Sequence, residues 1–181
     1  MPKPAPKNPK RRPQKRGGGR KRGGSNVPDG LPADVEEYGE DLAALEEADG
    51  EAINIGDLQK KDIAELNTMA KDVGVENFGT MRKHEVIFQI LRKHAENKGV
   101  LIAEGVLEIL PEGFGFLRSP HYNYLPCPED VYVSPSQIRR FDLQTGDQIQ
   151  GRIRPPKEKE KFFALLMVDS VGGEEPEKAK D

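Results

Sequence analysis

The chain is predicted to be α+β, with a small N-terminal helical bundle followed by a five-stranded β-barrel of the OB kind and a disordered extension in front of both. Three observations carry this. Between residues 52 and 98 apolar side chains recur at helical spacing. From 103 to 171 short β-branched and aromatic runs alternate with turn residues. The first 24 residues hold five Lys, five Arg and no acid, with too few apolar side chains to pack. The expected organisation is therefore 1–51 extension, 52–98 helical subdomain, 103–171 barrel and 172–181 linker or tail.

The extension is polar in two senses. Lys10-Arg11-Arg12 and Gly17-Gly18-Gly19-Arg20-Lys21-Arg22-Gly23-Gly24 describe a mobile cationic arm, able to add salt-sensitive, sequence-blind affinity for phosphates or to serve as a solubilising spacer. Residues 29–51 invert the sign, with ten Asp or Glu and no base, so the net charge of −3 conceals two opposed blocks. The stretch Asp34–Glu51, carrying Leu31 just before it and then Val35, Leu42, Ala43 and Leu45, has the makings of a weak helix and could screen the arm.

In the helical subdomain, Ile63, Leu66, Met69 and Ala70 mark one face, and Gly74 followed by Val75 is the expected left-handed stop with its apolar follower. A second helix is expected from Thr80 as N-cap, carrying Val86, Ile87, Ile90, Leu91 and Ala95, until Asn97-Lys98-Gly99 ends it. Asp57-Leu58 forms a short leader. Arg82, Lys83, Arg92, Lys93 and Lys98 make the surface moderately basic, which reads as a solvated face or as a binding patch.

The barrel strands are expected at Val106–Leu110, Phe114–Arg118, Val131–Val133, Asp147–Arg154 and Phe162–Val171. A turn at Pro111-Glu112-Gly113, a short helical turn from Ser134 and a charged loop Pro155–Lys161 punctuate them. Side chains alternate along a strand, so Phe114 and Phe116 share one surface, with glycines beside them that expose the backbone to a ligand. Tyr132 adds a third ring on another strand. Bases stack on such rings for about 1–3 kcal/mol each, so the constellation reads as a platform for single-stranded nucleic acid rather than as core. Alternation in the last strand sends Phe163, Leu165 and Met167 to the core and leaves Phe162 beside the platform.

These residues alone suggest a cold-shock-like barrel, but a longer ordered run carries more. Gly105-Val106-Leu107-Glu108-Ile109-Leu110, Gly113-Phe114-Gly115-Phe116-Leu117-Arg118, Val131-Tyr132-Val133-Ser134-Pro135-Ser136-Gln137-Ile138-Arg139-Arg140-Phe141, Thr145-Gly146-Asp147, Ile153-Arg154-Pro155-Pro156-Lys157 and Phe163-Ala164-Leu165-Leu166 together resemble the transcription termination factor Rho family over about residues 52–171. The resemblance implies base stacking on Phe114, Phe116 and Tyr132, with Leu110 closing the pocket. It implies that Arg118 and Asp130 read the edge of a cytosine, that Glu160 contacts base and that Lys157 neighbours a phosphate. Where the family often has Arg-Tyr this chain has Lys161-Phe162, which keeps a ring for stacking but loses the phenolic hydrogen bond and the guanidinium fork.

Other function classes find little support. Cys127 is the single cysteine, so no intrachain disulfide forms, and His84, His94 and His121 are scattered without metal-ligand spacing, so no catalytic or metal site is expected. No apolar run approaches the roughly 18 residues that span a bilayer, and no apolar leader follows Met1, so a cytoplasmic protein without membrane contact is expected. Gly74-Val75-Glu76-Asn77-Phe78-Gly79-Thr80 has the glycine spacing of a phosphate loop but lacks its Lys. The chain is thus expected not to be an enzyme and to hold no cofactor. ATP and Mg would belong to a motor domain that the resemblance places after these residues, and a homohexamer is expected only with that domain. Two functions stay open: a module capturing C-rich single-stranded nascent RNA for a termination factor, with RNA polymerase an indirect partner, or a stand-alone cold-shock-like binder or RNA chaperone.

Overall fold

The computed structural model describes residues 2–5, 30–34 and 38–179. The disorder expected of the basic arm, and its screening by the acidic stretch, lie outside these residues.

Helices α2 (Ile55–Gln59), α3 (Ile63–Asp72) and α4 (Lys83–Glu96) form the helical unit. A capping box opens α3: Asp62 Oδ1 accepts from the Glu65 N–H at 2.8 Å, and the Asp62 N–H donates to Glu65 Oε2 at 3.0 Å. Its exit is the expected one, with Gly74 at φ +86° and the Val75 N–H donating to the Ala70 carbonyl at 2.8 Å. Leu66 and Ala70 are buried, but Ile63 in the first turn is exposed, because the core cluster begins one turn later. The second long helix starts at Lys83 and not near Thr80. Thr80 closes a 3-10 turn, Phe78–Thr80, where its hydroxyl donates to the Asn77 carbonyl, and Arg82 takes the N-cap position of α4, its N–H donating to Glu85 Oε2 at 2.7 Å.

Five strands close the barrel in the order β2 (Val100–Ile109), β3 (Gly115–Arg118), β4 (Val131–Val133), β6 (Phe163–Val171) and β5 (Gln148–Arg154), with β5 returning to β2. β2 is longer than expected because it serves two neighbours: residues 101–106 pair with β5 and 106–109 with β3. A strand the sequence pattern did not reveal, β1 (Ala52–Asn54), runs parallel to the start of β2 and is too short to show periodicity. Helix α5 (Pro135–Arg140) opens with a Ser134–Gln137 capping box, and Gln137 Nε2 donates to the Leu165 carbonyl at 2.8 Å inside the barrel.

In β6 Phe163 and Leu165 enter the core as alternation demands, but Met167 does not; it is 37% exposed and Val168 is buried instead. The register shift against β5 at Arg152/Ile153 leaves Leu166 unpaired and inverts the pattern at Met167 and Val168, and the second shift, at Gln150/Gly151, leaves Asp169 unpaired and restores it, so that Val171 packs on the core again.

One core cluster runs from Ile55 through α3 and α4 to Val168, so helical unit and barrel share an interior. Phe88 of α4 meets Phe163 of β6 edge-on, with centroids 6.0 Å apart. Ser119 Oγ donates to Gln59 Oε1 across the same junction at 2.8 Å.

The acidic stretch is not disordered over 38–51. Helix α1 (Gly39–Glu47) follows Tyr38, and Tyr38, Leu42 and Leu45 form an i, i+4, i+7 stripe that packs on Ala164 and Leu166. A stripe this narrow is stable because the barrel offers it a surface, not through helix propensity. The tail beyond 171 is likewise structured in part, with Val171 bridging to Glu174 and a single turn, α6 (Pro176–Ala179). Among the described residues no helix is long and apolar enough to cross a membrane.

Candidate nucleic-acid interface

Strand register assembles the aromatic cluster. Phe116 pairs with Tyr132 across β3 and β4, Glu108 of β2 pairs with Phe116 on its other side, and Phe114, Phe116 and Arg118 follow one another on the same face. The Phe114 and Phe116 rings are perpendicular at 5.8 Å, Phe114 lies 5.8 Å from Tyr132, and Phe162 approaches Phe116 to 4.9 Å. Leu110 packs at their edge. The structure therefore brings together all five apolar residues named from the sequence. The role expected for Gly115 is different: a Cβ there would lie 2.7 Å from Leu107 Cδ1, so this glycine is required by packing against β2 rather than by an approaching ligand.

The polar pair is also assembled. Arg118 Nη1 donates to Asp130 Oδ2, Arg118 Nε donates to Glu108 Oε2 at 2.8 Å, and the guanidinium carbon stands 5.1 Å from the Phe116 ring centroid. Burial alone would depress the Arg118 pKa, but the hydrogen bonds to Glu108 and Asp130 outweigh it and raise the value, so the cation is permanent. Asp130 is held further by the Cys127 N–H at 3.0 Å and the Cys127 thiol at 3.2 Å. Burial first, and then the Asp130 charge, push the Cys127 thiol well above its ordinary pKa and keep it protonated. Glu108 was missed in the sequence reading, although its position two residues before Leu110 puts it on the platform's face.

The basic loop has a different geometry from the one expected. Both Glu160 oxygens are engaged: Oε1 accepts from Arg154 Nη1 at 2.8 Å and from the Lys157 N–H at 3.2 Å, and Oε2 accepts from Arg154 Nη2 at 2.9 Å. Glu160 thus shapes the loop and neutralises buried Arg154, a pairing that the sequence did not indicate. Lys157 Nζ is 2.9 Å from Asp41 Oδ2 of α1, and the Lys161 N–H donates to the Gly30 carbonyl at 2.7 Å. Leu31 packs on the aromatic cluster from outside, and Phe114, Phe116 and Tyr132 are left only 4%, 3% and 5% exposed. No periodicity in the sequence foretold that residues 30–34 and 38–41 would meet this face.

Two family models match the chain. Residues 103–177 match the Rho termination factor, RNA-binding domain, and residues 57–99 match the Rho termination factor, N-terminal domain. Curated relatives described as transcription termination factor Rho include those of Pseudomonas aeruginosa (54% identical), Pseudomonas fluorescens biotype C (53%) and Escherichia coli K12 (51%), each over 129 residues. Each alignment covers 71% of this chain and 31% of the relative, so the chain spans about a third of the length of the relatives it matches. With both domains matched in order, on a helical unit joined to a closed barrel, the chain belongs to the transcription termination factor Rho family.

Proposed function

We propose that this chain captures single-stranded RNA, with a preference for C-rich sequence, as the primary binding module of a Rho-type termination factor. The observation that carries the reading is the row of Phe114, Phe116, Phe162 and Tyr132 on one barrel face, bordered by the Arg118, Asp130 and Glu108 charges. Rings supply stacking that any base can use, and the charged edge supplies discrimination. Cytosine presents an amino donor to a carboxylate and two acceptors to a guanidinium, while the narrow Leu110 edge disfavours a purine. Lys157 and Lys161 of the charged loop supply cations for a phosphate backbone.

Matches to both the N-terminal and the RNA-binding models favour a termination factor over a stand-alone cold-shock-like binder. On this reading the chain itself does no catalysis. ATP, Mg, hexamer formation and the indirect link to RNA polymerase belong to the part of the family's length that the alignment does not cover, and the protein works in the cytoplasm.

Fluorescence anisotropy with labelled oligocytidine tests the platform. Phe116→Ala and Tyr132→Ala are each expected to weaken binding by about 1–3 kcal/mol while the far-UV circular dichroism spectrum stays that of the parent. Unchanged affinity in a folded variant would take the rings out of the binding site.

A further inference from the structure

We propose that residues 30–34 and 38–47 act as an internal latch that lies on the RNA face in place of RNA and must leave before RNA can bind. The inference rests on the reading of that face as the RNA site.

Each kind of contact expected of RNA is made here by the segment. Leu31 sits on the aromatic cluster where a base would stack, and the three rings beneath are almost fully enclosed. A ring with that little exposure has no free face for a base. At the loop, the backbone of Gly30 accepts from Lys161. Asp41 Oδ2 forms an ion pair with Lys157 Nζ at 2.9 Å and stands 3.2 Å from Arg154 Nε, close enough for attraction although not aligned as a hydrogen bond. Asp34 Oδ2 accepts from Ser136 Oγ at 2.9 Å, on the helix that follows the Tyr132 strand. The carboxylates of the segment thus meet cations and hydroxyls that would otherwise face phosphates. Tyr38, under the Arg154 guanidinium at 5.0 Å, anchors the middle of the segment.

The latch is weak by construction. Helix α1 has nine residues, buries none of its own side chains fully and opens without a side-chain cap. A helix of this length does not hold itself together in water, so its order depends on the barrel surface beneath it. Displacement by RNA exchanges one set of carboxylate contacts for phosphate contacts and leaves the segment free. The consequence is a binding site whose apparent affinity is lowered by the fraction of time it is covered.

The test compares two double variants of the 181-residue chain that lose the same charge. Asp34→Asn/Asp41→Asn removes carboxylates that touch the barrel, whereas Glu40→Gln/Glu46→Gln removes exposed ones on α1. Oligocytidine should bind the first variant at least fivefold more tightly than the second. In the parent chain, saturating oligocytidine should accelerate amide hydrogen exchange across Tyr38–Glu47. Equal affinities for the two variants, or exchange in α1 unchanged at saturation, would overturn the latch. Adding Phe116→Ala to the Asp34→Asn/Asp41→Asn variant separates the two readings. If that addition weakens binding while the two double variants bind alike, the latch alone falls. If it changes nothing, RNA does not use the platform, and the site and the latch fall together.

Discussion

Glu129 is buried next to the platform strand β4, where its Oε1 accepts from the Tyr122 hydroxyl at 3.1 Å and its Oε2 has no partner among the described residues. Burial is the main reason its pKa is raised; the Tyr122 hydrogen bond opposes this only in part. A carboxyl with a raised folded-state pKa takes up a proton on folding, so its contribution favours the fold below the unfolded value near 4.3 and is lost as pH rises through the folded value. Glu129→Gln should therefore gain stability relative to the parent between about pH 4 and pH 7, with the gap closing at the acid end, as thermal melts across that range would show. A melting difference independent of pH would mean that Glu129 does not titrate in this way. Asp130 raises a question of specificity instead. Among the described residues its Oδ1 has the Cys127 thiol, a weak donor, as its one partner, which leaves a lone pair for a base amino group. Asp130→Ala should narrow the gap between oligocytidine and oligouridine affinity, because uracil offers an acceptor where cytosine offers a donor. Equal losses for both would leave the discrimination elsewhere.

At the scale of elements, the β5–β6 pairing shows why alternation is read correctly for some residues and not for others. Phe163 and Leu165 precede both register shifts along β6 and obey the period of two; Met167 lies between the two shifts and does not. Gly151 makes the irregular pairing possible, since a Cβ there would stand 2.3 Å from the Met167 carbonyl oxygen and 2.7 Å from Leu165 Cδ1. Gly151→Ala must push the two strands apart and should cost about 1–3 kcal/mol in chemical denaturation, with the m-value unchanged. Stability equal to the parent's would show that the strands can separate at no cost. The error at Thr80 has a similar local cause. Thr80 lies inside the 3-10 turn Phe78–Thr80, so the N-cap position falls two residues later, on Arg82.

Across the whole molecule, the two charge blocks act through different physics. The ten cations of residues 1–24 carry no aromatic ring, so any affinity they add is sequence-blind and screened by salt. Deleting residues 1–24 should flatten the dependence of log K on log salt and leave the preference for oligocytidine over oligoadenine nearly intact. Identical slopes for the two proteins would make the arm a spacer. The acidic block differs because part of it carries an apolar stripe, and Tyr38, Leu42 and Leu45 find Ala164 and Leu166 to pack on.

What the sequence determined by itself was the periodic patterning within the longer elements. The helical faces of α3 and α4, the Gly74 stop, the five barrel strands and the common face of Phe114, Phe116 and Arg118 all follow from periods of 3.6 and 2. Tertiary structure alone decided the contacts between distant segments: the closure of β2 on β5, the core shared by helices and barrel, the Arg154–Glu160 pair and the seating of Leu31 and Asp41 on the aromatic and basic face. A short acidic stretch with four or five apolar residues is disordered or folded according to the surface it can reach, and no local pattern encodes that surface.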